Sequence, residues 1–218
     1  MGILEPVRPQ VLAVRIIPRV DRGFAEKLGL TDDQQSLGLI TCDLDDSLYV
    51  GLDAATKFAA VDVVYAKSFY AGSGYPSGPL SGEVIGMLAG PTPAEVRSGV
   101  EACIAYTEEE ACFFSANEAG DLTFFPHLIS TTGTYLSKEA GIPVGDPLAY
   151  LIAPPLEAAY ALDMAVKTAE VTLCAYFEPP SETNFSGGFL TGSQSACRSA
   201  CVAFADAVLE VASNPRKY

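Results

Sequence analysis

Asp43, Asp45 and Asp46 crowd one short stretch, Cys42-Asp43-Leu44-Asp45-Asp46-Ser47, and Glu83 opens a later apolar run, Glu83-Val84-Ile85-Gly86-Met87-Leu88. Carboxylates this close can share a proton for acid–base work, hold a divalent metal, or recognise an organic cation beside an aromatic face. A solvated acidic turn is the plainer alternative, and the residues alone leave both readings open. A metal-dependent hydrolase would need further ligands converging on the same turn.

Little else in the chain is equipped for catalysis. The single histidine, His127, sits in the apolar run Phe124-Phe125-Pro126-His127-Leu128-Ile129, where a structural role fits better than a catalytic one. No serine stands in a nucleophile elbow, and no phosphate loop or paired-cysteine metal signature occurs. Gly187 and Gly188 precede a strand instead of linking strand to helix, the wrong context for a phosphate cradle. Cys197 and Cys201 are spaced to share a helix face but lack further ligands. All six cysteines lie singly in apolar segments, which favours buried thiols over disulfides. The reading therefore assigns no catalytic residue, no metal and no cofactor.

The elements that must position these groups come twice. Phe24-Ala25-Glu26-Lys27-Leu28-Gly29 and Ser36-Leu37-Gly38-Leu39-Ile40 have counterparts in Tyr135-Leu136-Ser137-Lys138-Glu139-Ala140-Gly141 and Pro147-Leu148-Ala149-Tyr150-Leu151-Ile152. Leu52 to Lys57 and Leu156 to Tyr160, about 102 residues apart, each lead through a helical run, a strand and a loop to a Gly-bearing strand and an Ala-rich helix. Both copies read strand, short helix, strand, helix, strand, loop, strand, long helix. In the first copy the pattern predicts a strand over 11–17, a short helix capped by Asp21 and stopped by Gly29, strands over 36–41 and 48–51 around the acidic turn, and a helix over about 53–66. The two loops, 70–80 and 177–188, are long for small domains, and such loops commonly carry function.

Composition narrows the partners. The chain has 218 residues, 49% of them hydrophobic and 18% charged, with a mean hydropathy of +0.25. Two small domains this apolar are expected to hide surface against neighbours. A net charge of −14 and a pI near 4.3 argue against nucleic acid and anionic membrane as partners. No apolar stretch is long enough to span a bilayer and the first residues lack a secretion pattern, so the cytoplasm is the expected compartment.

The run Leu156-Glu157-Ala158-Ala159-Tyr160-Ala161-Leu162-Asp163-Met164-Ala165-Val166-Lys167-Thr168-Ala169-Glu170-Val171 resembles the helix-to-strand signature of bacterial microcompartment shell domains. With Gly145-Asp146-Pro147, Ala153-Pro154-Pro155 and Phe189-Leu190-Thr191-Gly192-Ser193-Gln194, the whole chain is similar to the tandem-domain shell proteins of ethanolamine-utilisation microcompartments. The resemblance implies an α/β (α+β) fold of two tandem, circularly permuted shell domains, 1–112 and 113–218, each a mainly antiparallel sheet flanked by helices. It implies a structural homotrimer that tiles edge to edge with other shell proteins, inside the cytoplasm, around a gated pore for metabolites or cofactors. Ethanolamine is the implied ligand, at Asp45, Glu83, Phe113 and Thr183, and a corrinoid is a further ligand that no residue demands. The implied gate comprises Tyr70, Gly72, Gly74 and Tyr75 from one loop and Glu178, Glu182, Phe185, Gly187 and Gly188 from the other. Lys167 is the implied tile-edge lysine, with Val64 or Tyr65 at the matching place in the first copy. A metal-dependent enzyme on the acidic cluster and a soluble small-molecule sensor are the rival functions.

Overall fold

The computed structural model describes residues 3–69 and 77–217. Tyr70, Gly72, Gly74 and Tyr75, expected in the gate, lie outside the described residues. The chain divides into two compact units, one of 9–111 with 133–136, the other of 1–8, 112–132 and 137–218.

In the first unit, β2 (Val11–Ile17), β3 (Ser36–Cys42), β4 (Asp62–Ser68) and β5 (Val84–Gly90) form an antiparallel sheet in the order β2-β3-β5-β4. Three helices accompany it: α1 (Arg22–Leu28), α2 (Asp45–Phe58) and α3 (Pro93–Glu109). Asp21 caps α1 by accepting the Gly23 and Phe24 N–H groups, and Gly29 ends it in the left-handed conformation a side chain would resist. Thr92 caps α3. The apolar faces of α2 and α3 meet the sheet over Ile40, Leu48, Leu52, Val84, Leu88, Val96 and Val100, all essentially sealed from solvent.

The second unit repeats this plan. β7 (Thr123–Ile129), β8 (Leu148–Ala153), β9 (Val171–Phe177) and β10 (Ser186–Gly192) stand in the order β7-β8-β10-β9, with α4 (Thr134–Ala140, of which 137–140 belong to this unit), α5 (Pro155–Thr168) and α6 (Gln194–Ser213) between and after them. Two short strands, β1 (Pro6–Val7) and β6 (Phe113–Ser115), extend the sheet beyond β7. Small residues let α5 and α6 lie close on it: Ala158, Ala161, Ala165 and Ala200 are fully buried with Leu151, Leu190 and Phe204.

Two departures from a division at 112/113 follow from hydrogen bonding. Pro6 and Val7 pair with Phe114 and Phe113, so the N-terminal segment joins the sheet of the second half. Residues 133–136 go with the first unit, because buried Asp53 accepts the Gly133 and Leu136 N–H groups at 2.7 and 2.8 Å.

The expected strand over 48–51 is helix, and the expected helix over 53–66 starts and ends early. Leu48, Leu52 and Ala55 are buried at a helical spacing, whereas Asp62 to Ser68 is extended and paired with β5. The loop expected over 177–188 is also shorter. Gly187 and Gly188 are strand residues, buried in β10 between β8 and β9. A Cβ on Gly187 would stand 2.0 Å from the Leu151 carbonyl oxygen, so glycine here serves close strand packing instead of loop freedom.

Candidate functional site

The acidic residues are not a solvated turn. Asp45 and Asp46 form the first turn of α2 and are only 6% and 5% exposed. Carboxylates are favoured there by the helix dipole, and Asp45 Oδ1 accepts the Asp46 N–H at 2.9 Å. Its other oxygen, Oδ2, accepts the Ser68 hydroxyl at 2.8 Å from the end of β4. Ser68 has one proton to give, so the 2.5 Å contact to Tyr49 is donated by the phenol, making a relay from Tyr49 through Ser68 to Asp45. Burial lifts the Tyr49 phenol above its usual range and keeps it a donor.

Glu83 reaches the same place from the other side. Gly82, with φ of 61°, passes so close to Cys42 that a Cβ would lie 2.0 Å from its carbonyl oxygen. The Glu83 N–H donates to that carbonyl at 2.9 Å, fixing the start of β5 beside the acidic segment. Burial first, then the charges of Asp45 and Asp43, push the Glu83 carboxyl up to about 7. Asp43 is held by the Gln10 N–H at 2.6 Å and by the Cys42 thiol, itself raised to about 12, chiefly by burial. Among the described residues the Glu83 carboxylate makes no hydrogen bond and no ion pair.

A carboxyl raised to about 7 with the charges of Asp45 and Asp43 acting on it suits a small organic cation. These carboxylates are poorly arranged for catalysis on a metal: among the described residues no three His, Cys, Asp or Glu side chains converge closely enough to hold one. His127 lies parallel on Phe125, 5.0 Å between ring centres, in an aromatic stack. The six cysteines are free thiols and only Cys174 is partly open to solvent.

The other predicted residues belong to the second unit. Phe113 is 2% exposed, stacked on Phe125 at 4.8 Å and edge-on to Phe185 at 6.0 Å. Thr183 is half-buried in the turn between β9 and β10, while Glu178 and Glu182 are exposed. That turn is well bonded: Ser181 Oγ accepts the Phe185 N–H, and the Phe185 carbonyl accepts the Ser181 N–H. Lys167, in the last turn of α5, pairs with Asp163 at 2.5 Å and is largely exposed.

The match for Lys167 in the first unit is Lys57, correcting the expectation of Val64 or Tyr65. Asp53 and Lys57 of α2 hold the same places in a 14-residue helix as Asp163 and Lys167 of α5, and both pairs are bonded. Sequence reasoning also missed Tyr49 and Ser68. The one available signal was the four-residue step from Asp45 to Tyr49, invisible once residues 48–51 were assigned to a strand.

Two units with the same element order and the same sheet order define a tandem bacterial microcompartment shell protein. Residues 36–117 match the BMC domain. The chain is 58% identical over 209 residues to the bacterial microcompartment shell protein EutL of Clostridium perfringens, covering 96% of each, and 54% identical over 215 residues to EutL of Escherichia coli, covering 99% of this chain and 98% of that one. It superposes on the crystal structure of ethanolamine utilization protein EutL from Leptotrichia buccalis with a TM-score of 0.97 at 58% identity, all of both chains being covered. The chain belongs to the EutL family of bacterial microcompartment shell proteins. It is a structural protein and not an enzyme, resident in a microcompartment shell within the bacterial cytoplasm.

Proposed function

We propose that three copies of this chain form a shell tile with a gated pore, and that ethanolamine, as its ammonium ion, biases the gate by binding at Asp45 and Glu83. A ring of six like positions closes with three chains when each chain carries two like units. The observation that carries the ligand reading is the uncompensated Glu83 carboxylate beside Asp45 and Asp43. An alkylammonium alcohol offers the positive charge that Glu83 lacks and a hydroxyl to bond, and the net charge of −14 favours cation approach.

Glu83 also ends the first long loop. A cation that tightens its hold on Asp45 therefore acts at the base of the segment assigned to the pore rim. A tenfold bias between gate states requires about 1.4 kcal/mol of differential affinity, within reach of one charge-assisted contact. The rim is drawn from 70–80 and from the turn carrying Glu178, Glu182 and Phe185. Lys167 is assigned to the tile edge, where it meets neighbouring shell proteins.

Calorimetric titration with ethanolammonium chloride, run beside sedimentation velocity, tests both parts. The expected result is a trimer that binds one ligand per chain and loses at least tenfold in affinity on Asp45→Asn. A monomer or dimer would overturn the tile, and unchanged affinity in that variant would overturn the site.

A further inference from the structure

α6 buries one face and leaves the other without a partner among the described residues. Cys197, Ala200, Cys201, Phe204, Ala207 and Val208 point into the core. Arg198, Val202 and Asp206 recur every four residues and form an exposed stripe along the opposite side, with Val202 57% exposed. Arg198 and Asp206 make no hydrogen bond or ion pair among the described residues. Ser199 and Ala203 alongside are small enough to let a second helix approach closely. A groove of ≈ 510 Å³ runs beside the stripe and is completed from α5 by Met164 and Thr168.

The stripe is self-complementary. Its charges stand eight residues apart, about 12 Å along the helix, with the apolar residue midway. A second α6 laid antiparallel across it about a two-fold axis at Val202 sets each Arg198 against the other copy's Asp206 and packs valine on valine. A parallel arrangement would oppose like charges. We infer that α6 is a contact between two copies of this chain, paired antiparallel about Val202.

A two-fold contact uses the same patch on both partners, whereas the interfaces of a threefold ring are heterologous. If the chain is the trimer proposed above, the α6 contact joins one trimer to another. That placement rests on the trimer reading; the pairing itself does not. One helix pair buries too little area for a stable dimer, so the contact is expected to be weak singly and to gain from repetition across trimers.

Val202→Cys tests the pairing, because a two-fold contact brings identical positions together. Mild oxidation or a short bismaleimide should link Val202→Cys chains into covalent pairs well above the wild-type background, which is set by the partly exposed Cys174 because Cys201 is buried. Arg198→Asp places aspartate against aspartate and should weaken association on the order of tenfold by sedimentation velocity, with Arg198→Asp/Asp206→Arg restoring it. Absence of the covalent pair, or no rescue by the double variant, overturns the pairing. Sedimentation of the dispersed Arg198→Asp protein separates the two ideas: a non-trimeric species there refutes the tile while leaving a positive cross-link standing.

Discussion

Replacing Glu83 by glutamine should stabilise the protein at alkaline pH and remove a component of its pH dependence. Glu83 titrates near 4.5 when unfolded and near 7 in the fold, raised first by burial and then by Asp45 and Asp43. The folded state therefore holds this proton more tightly. The group's stabilising contribution is complete below about 4.5 and is lost as pH rises through about 7. At 1.36 kcal/mol per tenfold, the full difference would be ~3.4 kcal/mol, but Glu83 is only half-buried and solvent screens it, leaving about 1–1.5 kcal/mol. Urea unfolding at fixed protein concentration, at pH 5 and pH 8, supplies the comparison. Wild type should lose about 1–1.5 kcal/mol relative to Glu83→Gln between those pH values, and saturating ethanolammonium should abolish the difference by supplying the missing charge. Parallel pH profiles for the two proteins would refute the argument, since the strain on Glu83 would then be absent.

Three further substitutions probe the frame around the site. Asp53→Ala removes the acceptor of the Gly133 and Leu136 N–H groups and the partner of Lys57, and should cost about 3–5 kcal/mol in urea unfolding; a loss under 1 kcal/mol would show that water replaces the carboxylate. Thr107→Val should be neutral or stabilise by up to about 1 kcal/mol, because among the described residues the buried Thr107 Oγ1 has at most the weak thiol of Cys103 beside it and valine keeps its shape. Lys167→Ala should leave the oligomer's sedimentation unchanged but suppress growth of sheets seen by electron microscopy, and normal sheets would remove Lys167 from the tile edge.

The repeated order of elements was legible because strong local signals mark it: the Asp21 and Gly29 caps of α1, Thr92 and Ser193 at the long helices, and apolar strands bounded by turns. The start of α2 was not. Leu48-Tyr49-Val50 is apolar and β-prone, so it reads as a strand unless Leu48, Leu52 and Ala55 are recognised as one buried helical stripe. That single misplacement propagated. It turned a helix N-terminus into a turn, concealed the Tyr49–Ser68–Asp45 relay, and slid the second lysine of the repeat out of alignment. Asp45 and Glu83 stood out as carboxylates and were paired only by the family resemblance; the closeness that lets Asp45 act on Glu83 depends on Gly82 and on β3 pairing with β5, which are tertiary facts.

Placing the copies on their registers shows what duplication has allowed. Cys42 pairs with Val84 as Ala153 pairs with Ser186, so the residues just before those strands, Glu83 and Phe185, are counterparts; Asp45 and Pro155 likewise open α2 and α5. One copy holds two carboxylates where the other holds a proline and a phenylalanine set edge-on to Phe113. The Asp–Lys helix pair was retained in both, yet Asp53 is fully buried and bonded to backbone while Asp163 is exposed. In a ring of six identical domains every such choice would be made six times. Fusing two copies lets one keep a charge that costs stability above neutral pH and lets the other seal the same position with apolar surface. In the three-chain tile proposed above, the electrostatic penalty of Glu83 would then arise three times instead of six.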